Sequence, residues 1–134
     1  MGNPPLIIAH RGASQLVRFA NTLEAFSKAI EIGAPMMEFD VRRTRDGKLV
    51  SYHDAGIGSV LLSSLTLEEL LAASALQGFK VPLLEEILEL SKGRIRLDIE
   101  LKESGYEDSV LELVTAWLAP DDFVVKSFKD EVVA

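Results

Sequence analysis

The chain contains no cysteine, which excludes disulfides, thiolate metal sites and a cysteine nucleophile together. Any metal must then be held by oxygen or imidazole, ligands that favour magnesium, calcium or manganese ahead of zinc. Long apolar runs are also missing. None approaches the roughly 18 residues of a membrane span, so no stable membrane insertion is expected. Positive charge is scarce, with 14 Lys and Arg against 21 Asp and Glu and a net charge of −7. A surface of that sign repels nucleic acid and anionic lipid, so no nucleic-acid partner is expected and phosphate recognition requires a local cluster of cations. Residues 1–5 carry no basic region and lead into a strand-like run, which does not read as a signal peptide; the expected location is cytoplasmic.

What is present fits one globular domain. The 134 residues, 48% hydrophobic and 26% charged, suffice for a single core and not for two. Residues 6–9 form a short apolar run closed by His10-Arg11-Gly12, a buried strand running into a loop. Asn21 and Thr22 are two candidate N-caps for a helix whose apolar positions are Leu23, Phe26, Ala29 and Ile30, with Gly33 as its stop. Residues 36–41 read as a second strand, Arg45-Asp46-Gly47 as a turn, and 48–52 as a third strand ending in His53-Asp54. Residues 55–65 read as a Gly- and Ser-rich loop. Thr66-Leu67-Glu68-Glu69 opens a helix to about Leu76 in the manner of a capping box, and Pro82 precedes another that ends at Gly93. A fourth strand at 95–101, a helix at about 106–118, a fifth strand at 123–125 and the first turn of a helix from Lys129 complete the pattern.

Helices between apolar strands predict an α/β fold with a parallel sheet. Five strands do not close a (β/α)₈ barrel of about 250 residues, so the expectation is an incomplete TIM barrel, a single domain over 1–134 that ends just past the halfway point.

The informative pattern is positional. His10 with Arg11, Glu38 with Asp40, His53, and Glu100 with Lys102 each stand at or just past the end of one of the first four strands, where parallel sheets bind ligands. Glu38/Asp40 and Glu100/Lys102 are i,i+2 pairs, so each pair shares a strand face while Phe39 and Leu101 turn toward the helices. Three converging carboxylates require a counter-charge, and a hard divalent cation is the simplest. The two histidines suit the proton transfers of phosphodiester cleavage near neutral pH. Arg11 suits bidentate phosphate binding and Lys102 supplies a point charge. Against this stands a plainer alternative, in which Glu38 and Asp40 merely pair with Arg42 and Arg43. Asn21, Thr66, the Asp46-Gly47 turn and Glu68, Glu69, Glu85 and Glu86 are read as structural.

These residues resemble the glycerophosphodiester phosphodiesterase family. His10-Arg11-Gly12 is similar to its HRG, residues 21–26 to its (E)NTxxAF, and Glu38-Phe39-Asp40-Val41 to its ExDV strand. Thr44-Arg45-Asp46-Gly47 is similar to T-x-D-G, His53-Asp54 to HD, and residues 81–86 to IPTLEE. Ile99-Glu100-Leu101-Lys102 is similar to IELK and Ser127-Phe128 to SF. The resemblance implies a TIM-barrel hydrolase converting glycerophosphodiesters, small-molecule substrates, to an alcohol and glycerol 3-phosphate. It implies His10 and His53 as general acid/base, Glu38, Asp40 and Glu100 as ligands of one Ca2+ or Mg2+ ion, and Arg11 and Lys102 on the phosphate. Two departures stand out: Ala20 replaces the family's glutamate, and 55–58 lacks its usual continuation after HD. A non-catalytic metal- and phosphate-binding remnant and a phospholipase C- or D-like lipid phosphodiesterase are the alternatives, and self-association through the exposed sheet edge is a further expectation.

Overall fold

The computed structural model of the protein describes residues 8–12 and 19–127, with the backbone alone at 8–10. The expected strand at residues 6–7, Phe128 of the SF motif and the helix turn from Lys129 lie outside the described residues. The strands are β1 (Ile8–His10), β2 (Met36–Arg43), β3 (Leu49–Ser51), β4 (Gly56–Ile57), β5 (Val60–Leu61), β6 (Arg96–Leu101) and β7 (Phe123–Ser127). The helices are α1 (Leu23–Glu31), α2 (Leu67–Leu76), α3 (Leu84–Ser91) and α4 (Glu107–Trp117).

Strands β1, β2, β6 and β7 lie side by side in that order, every neighbouring pair parallel. This is the α/β architecture expected for the first part of a TIM barrel. Parallel neighbours need a long crossover, which the intervening helices supply. One face of the sheet carries Met37, Phe39, Val41, Leu97, Ile99, Leu101 and Val125, all fully buried. They pack with Phe26 and Ala29 of α1, Ile87 and Leu88 of α3, and Val110 and Val114 of α4 in one continuous core. Trp117 lies against that core. The opposite face of β2 is buried too, but its side chains there include Glu38 and Asp40.

The third strand departs from expectation. β3 runs antiparallel to β2, pairing Val41 with Ser51 and Arg43 with Leu49. The reason is the length of the connection. Thr44 closes a tight turn by accepting at its carbonyl from Gly47 N (3.0 Å) and donating its own N–H to Lys48 O (2.9 Å), and so few residues join antiparallel strands only. His53 therefore does not follow a parallel strand to the sheet's carboxyl end. A second correction concerns 55–65, expected as loop: it contains the β4–β5 hairpin and a turn of 3-10 helix at Leu62–Ser64. Two-residue strands are too short for alternation to register in a sequence.

Capping follows local chemistry. Thr22, not Asn21, caps α1, its Oγ1 accepting from Ala25 N at 3.2 Å. Thr66 accepts from Glu69 N while Glu69 Oε1 accepts from Thr66 N, a reciprocal capping box on α2. Glu86 accepts from Leu83 N at 3.0 Å at the start of α3.

Two glycines separate backbone strain from contact. Gly12 has φ +74°, and a Cβ there stands 2.7 Å from the Ala25 carbonyl carbon; Gly47 has φ +82° with open space around it. Gly12→Ala should cost about 3 kcal/mol or more, strain and collision together, whereas Gly47→Ala should cost about 1 kcal/mol from the left-handed backbone alone. Urea unfolding of the two variants tests the difference, and equal losses would contradict it.

Candidate metal and phosphate site

The site begins with strand register. Glu38 of β2 pairs with Asp98 of β6, and Asp40 pairs with Glu100. Alternation puts all four on the sheet face away from the helices. Carboxylate oxygens of Glu38, Asp40 and Glu100, one from each, lie within 4.8 Å of one another. At such spacing, like charges repel by roughly 3 kcal/mol per pair for an effective dielectric near 20.

Counter-charge comes from the strand ends. Lys102 Nζ, just past β6, lies 3.5 Å from Asp40 Oδ1 and 3.6 Å from Glu100 Oε2. Arg11, just past β1, donates its backbone N–H to Glu38 Oε2 at 3.3 Å and places Nε 3.7 Å from Asp40 Oδ2. Its φ of +52°, followed by Gly12 at +74°, turns the chain sharply and aims the Arg11 N–H at the cluster. Burial, then the charge of Asp40, raises the Glu38 pKa to about 7; Glu100 and Asp98 push the same way and the Arg11 N–H opposes them.

The two histidines stand differently. The backbone of His10 lies at the end of β1, in register with Glu38; its side chain lies outside what the structure describes. His53 is half-exposed, with Nδ1 2.9 Å from Asp54 Oδ1. Its carbonyl accepts from Arg42 Nε at 3.1 Å and Nη2 at 2.7 Å. Arg42 Nη1 also reaches Glu103 at 3.3 Å, and Arg43 stacks over Tyr106. Among the described residues, the ion pairs of Asp40 run to Arg11 and Lys102. Arg42 instead clamps the segment bearing His53 to β2 and to the loop after β6.

Three further residues belong to the neighbourhood that the sequence reading did not assign to the site. Asp98, nearly buried, pairs with Lys126 of β7 at 3.2 Å. Asn21 donates Nδ2–H to Asp40 Oδ2 at 3.1 Å. The i,i+2 relation of Asp98 to Glu100 was available as a signal; nothing local to Asn21 or Lys126 distinguishes them from a cap and a surface cation. A cavity of about 660 Å³ lies beside the β2–β3 turn, lined by residues including Arg43, Arg45, Glu103 and Tyr106. It contains none of the clustered carboxylates, and its guanidiniums already face Tyr106 and Glu69.

Glu38 makes stability depend on pH. Its carboxyl releases its proton near pH 4.5 ordinarily and near 7 in the folded protein. The folded state thus binds more protons between those values, and this group's contribution to stability falls as pH rises from about 4.5 to 7. Urea midpoints measured in EDTA across that range should decline less for Glu38→Gln than for the unaltered protein; parallel curves would contradict the assignment.

Comparison with known proteins agrees with this geometry. Residues 10–129 match the glycerophosphoryl diester phosphodiesterase family. A glycerophosphodiester phosphodiesterase of Bacillus altitudinis is 35% identical over 141 residues, covering 91% of this chain and 57% of the relative. The crystal structure of a glycerophosphodiester phosphodiesterase from Thermotoga maritima superposes with a TM-score of 0.83 at 34% identity, over 96% of this chain and 56% of that one. A phosphodiesterase from Oleispira antarctica, solved in complex with the product sn-glycerol-3-phosphate, is 28% identical with a TM-score of 0.79, over 92% of this chain and 57% of that one. The chain thus spans somewhat more than half the length of these relatives. Sheet order, clustered carboxylates and sequence match agree: the chain belongs to the glycerophosphoryl diester phosphodiesterase family.

Proposed function

We propose that this chain carries the metal, phosphate and proton-transfer groups for hydrolysing glycerophosphodiesters to an alcohol and glycerol 3-phosphate. The observation that carries the reading is the trio Glu38, Asp40 and Glu100, gathered within 4.8 Å and flanked by Arg11 and Lys102. The glycerol phosphate product in the Oleispira antarctica relative supports the choice of substrate class.

The donor set fits a hard divalent cation, Ca2+ or Mg2+. All three groups offer carboxylate oxygen, and Asp40 Oδ1 is buried without a hydrogen bond among the described residues. Such an ion would be held by Glu38, Asp40 and Glu100. When bound, it supplies positive charge to the phosphoryl oxygens. Arg11 and Lys102 take the remaining phosphate charge, the first through its guanidinium fork and the second as a point charge. Hydrolysis needs one group to take the proton from the attacking oxygen and another to return one to the departing alkoxide; His10 and His53 are assigned these tasks. With Nδ1 held by Asp54, His53 has Nε2 for that exchange. Arg42 steadies it by gripping its carbonyl.

His53→Ala should lower kcat for glycerophosphocholine by about 10²–10⁴-fold, as expected for loss of a general acid or base, and His10→Ala should do likewise. EDTA should abolish turnover, with Mg2+ or Ca2+ restoring it. Product formation that survives both histidine variants and chelation would overturn the proposal. Cation binding without any turnover would favour the non-catalytic reading, to which the absence of a glutamate at Ala20 lends itself.

A further inference from the structure

Asn21 is buried, with only 4% of its surface exposed, and holds a left-handed backbone at φ +54°. Asparagine tolerates that conformation better than most residues, yet the turn alone does not account for its side chain. Helix capping does not either, because Thr22 performs it. The side chain points the other way, into the sheet. Nδ2 donates to Asp40 Oδ2 at 3.1 Å, and Oδ1 accepts from the hydroxyl of the fully buried Ser51 at 3.1 Å. The direction of the amide is fixed by chemistry: an ionised carboxylate only accepts, so the NH₂ end must face Asp40. Its backbone N–H meanwhile donates to Arg11 O at 3.1 Å. One residue thereby ties the loop after β1, the carboxylate on β2 and the hairpin strand β3.

We infer that Asn21 is a positioning residue for the cation site, orienting Asp40 through its side-chain amide and itself oriented by Ser51. This rests on the metal-dependent reading above. The amide commits Asp40 Oδ2 to a hydrogen bond, which sets the carboxylate plane and leaves Oδ1 on the side of Lys102 Nζ and Glu100. A carboxylate without that anchor rotates about its terminal torsion, which is broad. Oxygen would then have to be ordered at the moment of binding. Partners that orient a metal ligand in this way typically contribute about 10–100-fold to affinity.

Asn21→Gly suits the test, because glycine accepts φ +54° without strain and removes only the amide. Titrating Mg2+ alone into the substrate-free protein by calorimetry should show affinity weakened about tenfold or more. Ser51→Ala should weaken it by a smaller factor, and the double variant should match Asn21→Gly, since Ser51 acts through Asn21. Thermal unfolding in EDTA reads the structural contribution separately. Mg2+ affinity within twofold of the unaltered protein in Asn21→Gly would overturn the inference, as would additive losses in the double variant. If Asn21→Gly does not fold, unchanged affinity in Ser51→Ala overturns it alone. An unaltered protein that binds neither Mg2+ nor Ca2+ overturns both this inference and the metal-dependent reading, whereas tight binding without hydrolysis overturns only the activity.

Discussion

Like charges in adjacent parallel strands are the constraint around which this molecule is arranged. The register that pairs Glu38 with Asp98 and Asp40 with Glu100 is set by hydrophobic packing on the other face, where Met37, Phe39, Leu97 and Ile99 meet the helices. A slip of one residue would bury carboxylates among leucines. The core thus enforces an electrostatic arrangement that the carboxylates would not adopt by themselves. What makes it tolerable is a ring of donors and cations: Arg11 on Asp40, Lys102 on Asp40 and Glu100, Lys126 on Asp98, and the amide of Asn21 on Asp40.

The carboxylates and their compensating groups come from different kinds of structure. Strands hold the carboxylates rigidly, while the connections after the strands supply Arg11, Asn21 and Lys102. The two non-glycine residues with left-handed backbones among those described are Arg11 and Asn21, both of which contact the cluster. Local strain sits where the backbone must aim a group at the site, and the adjoining helix and sheet hold it there. Arg42 and Tyr106 do similar work one step away. Arg42 holds His53 O and Glu103, and the Tyr106 hydroxyl donates to Val41 O at 2.7 Å and accepts from Glu103 N.

Much of this was legible in the linear sequence. The five principal strands and four helices lie where periodicity, caps and glycine stops place them, because those signals are local. The i,i+2 spacing of Glu38 and Asp40 already implied one shared face. The direction of β3 is antiparallel rather than parallel, and the short 44–47 turn requires it, since no crossover fits in so few residues. The ends of β1, β2 and β6 bring Arg11, Asp40, Glu100 and Lys102 together, while His53 is set on the hairpin that Arg42 clamps.

By itself, the sequence determined the elements, the residue types available for chemistry and the face on which each strand residue falls, since helix and strand periods are properties of the local backbone. Tertiary structure decided which strands are neighbours and in what register, and therefore that Asp98 lies beside Glu38 and that Lys126 answers it. It also decided that Asn21, one of two adjacent candidate caps, turns inward to a carboxylate 19 residues away in the chain. Hydrogen bonds and ion pairs between distant segments depend on distances that no local pattern encodes, and they exist only once the core has brought the strands together.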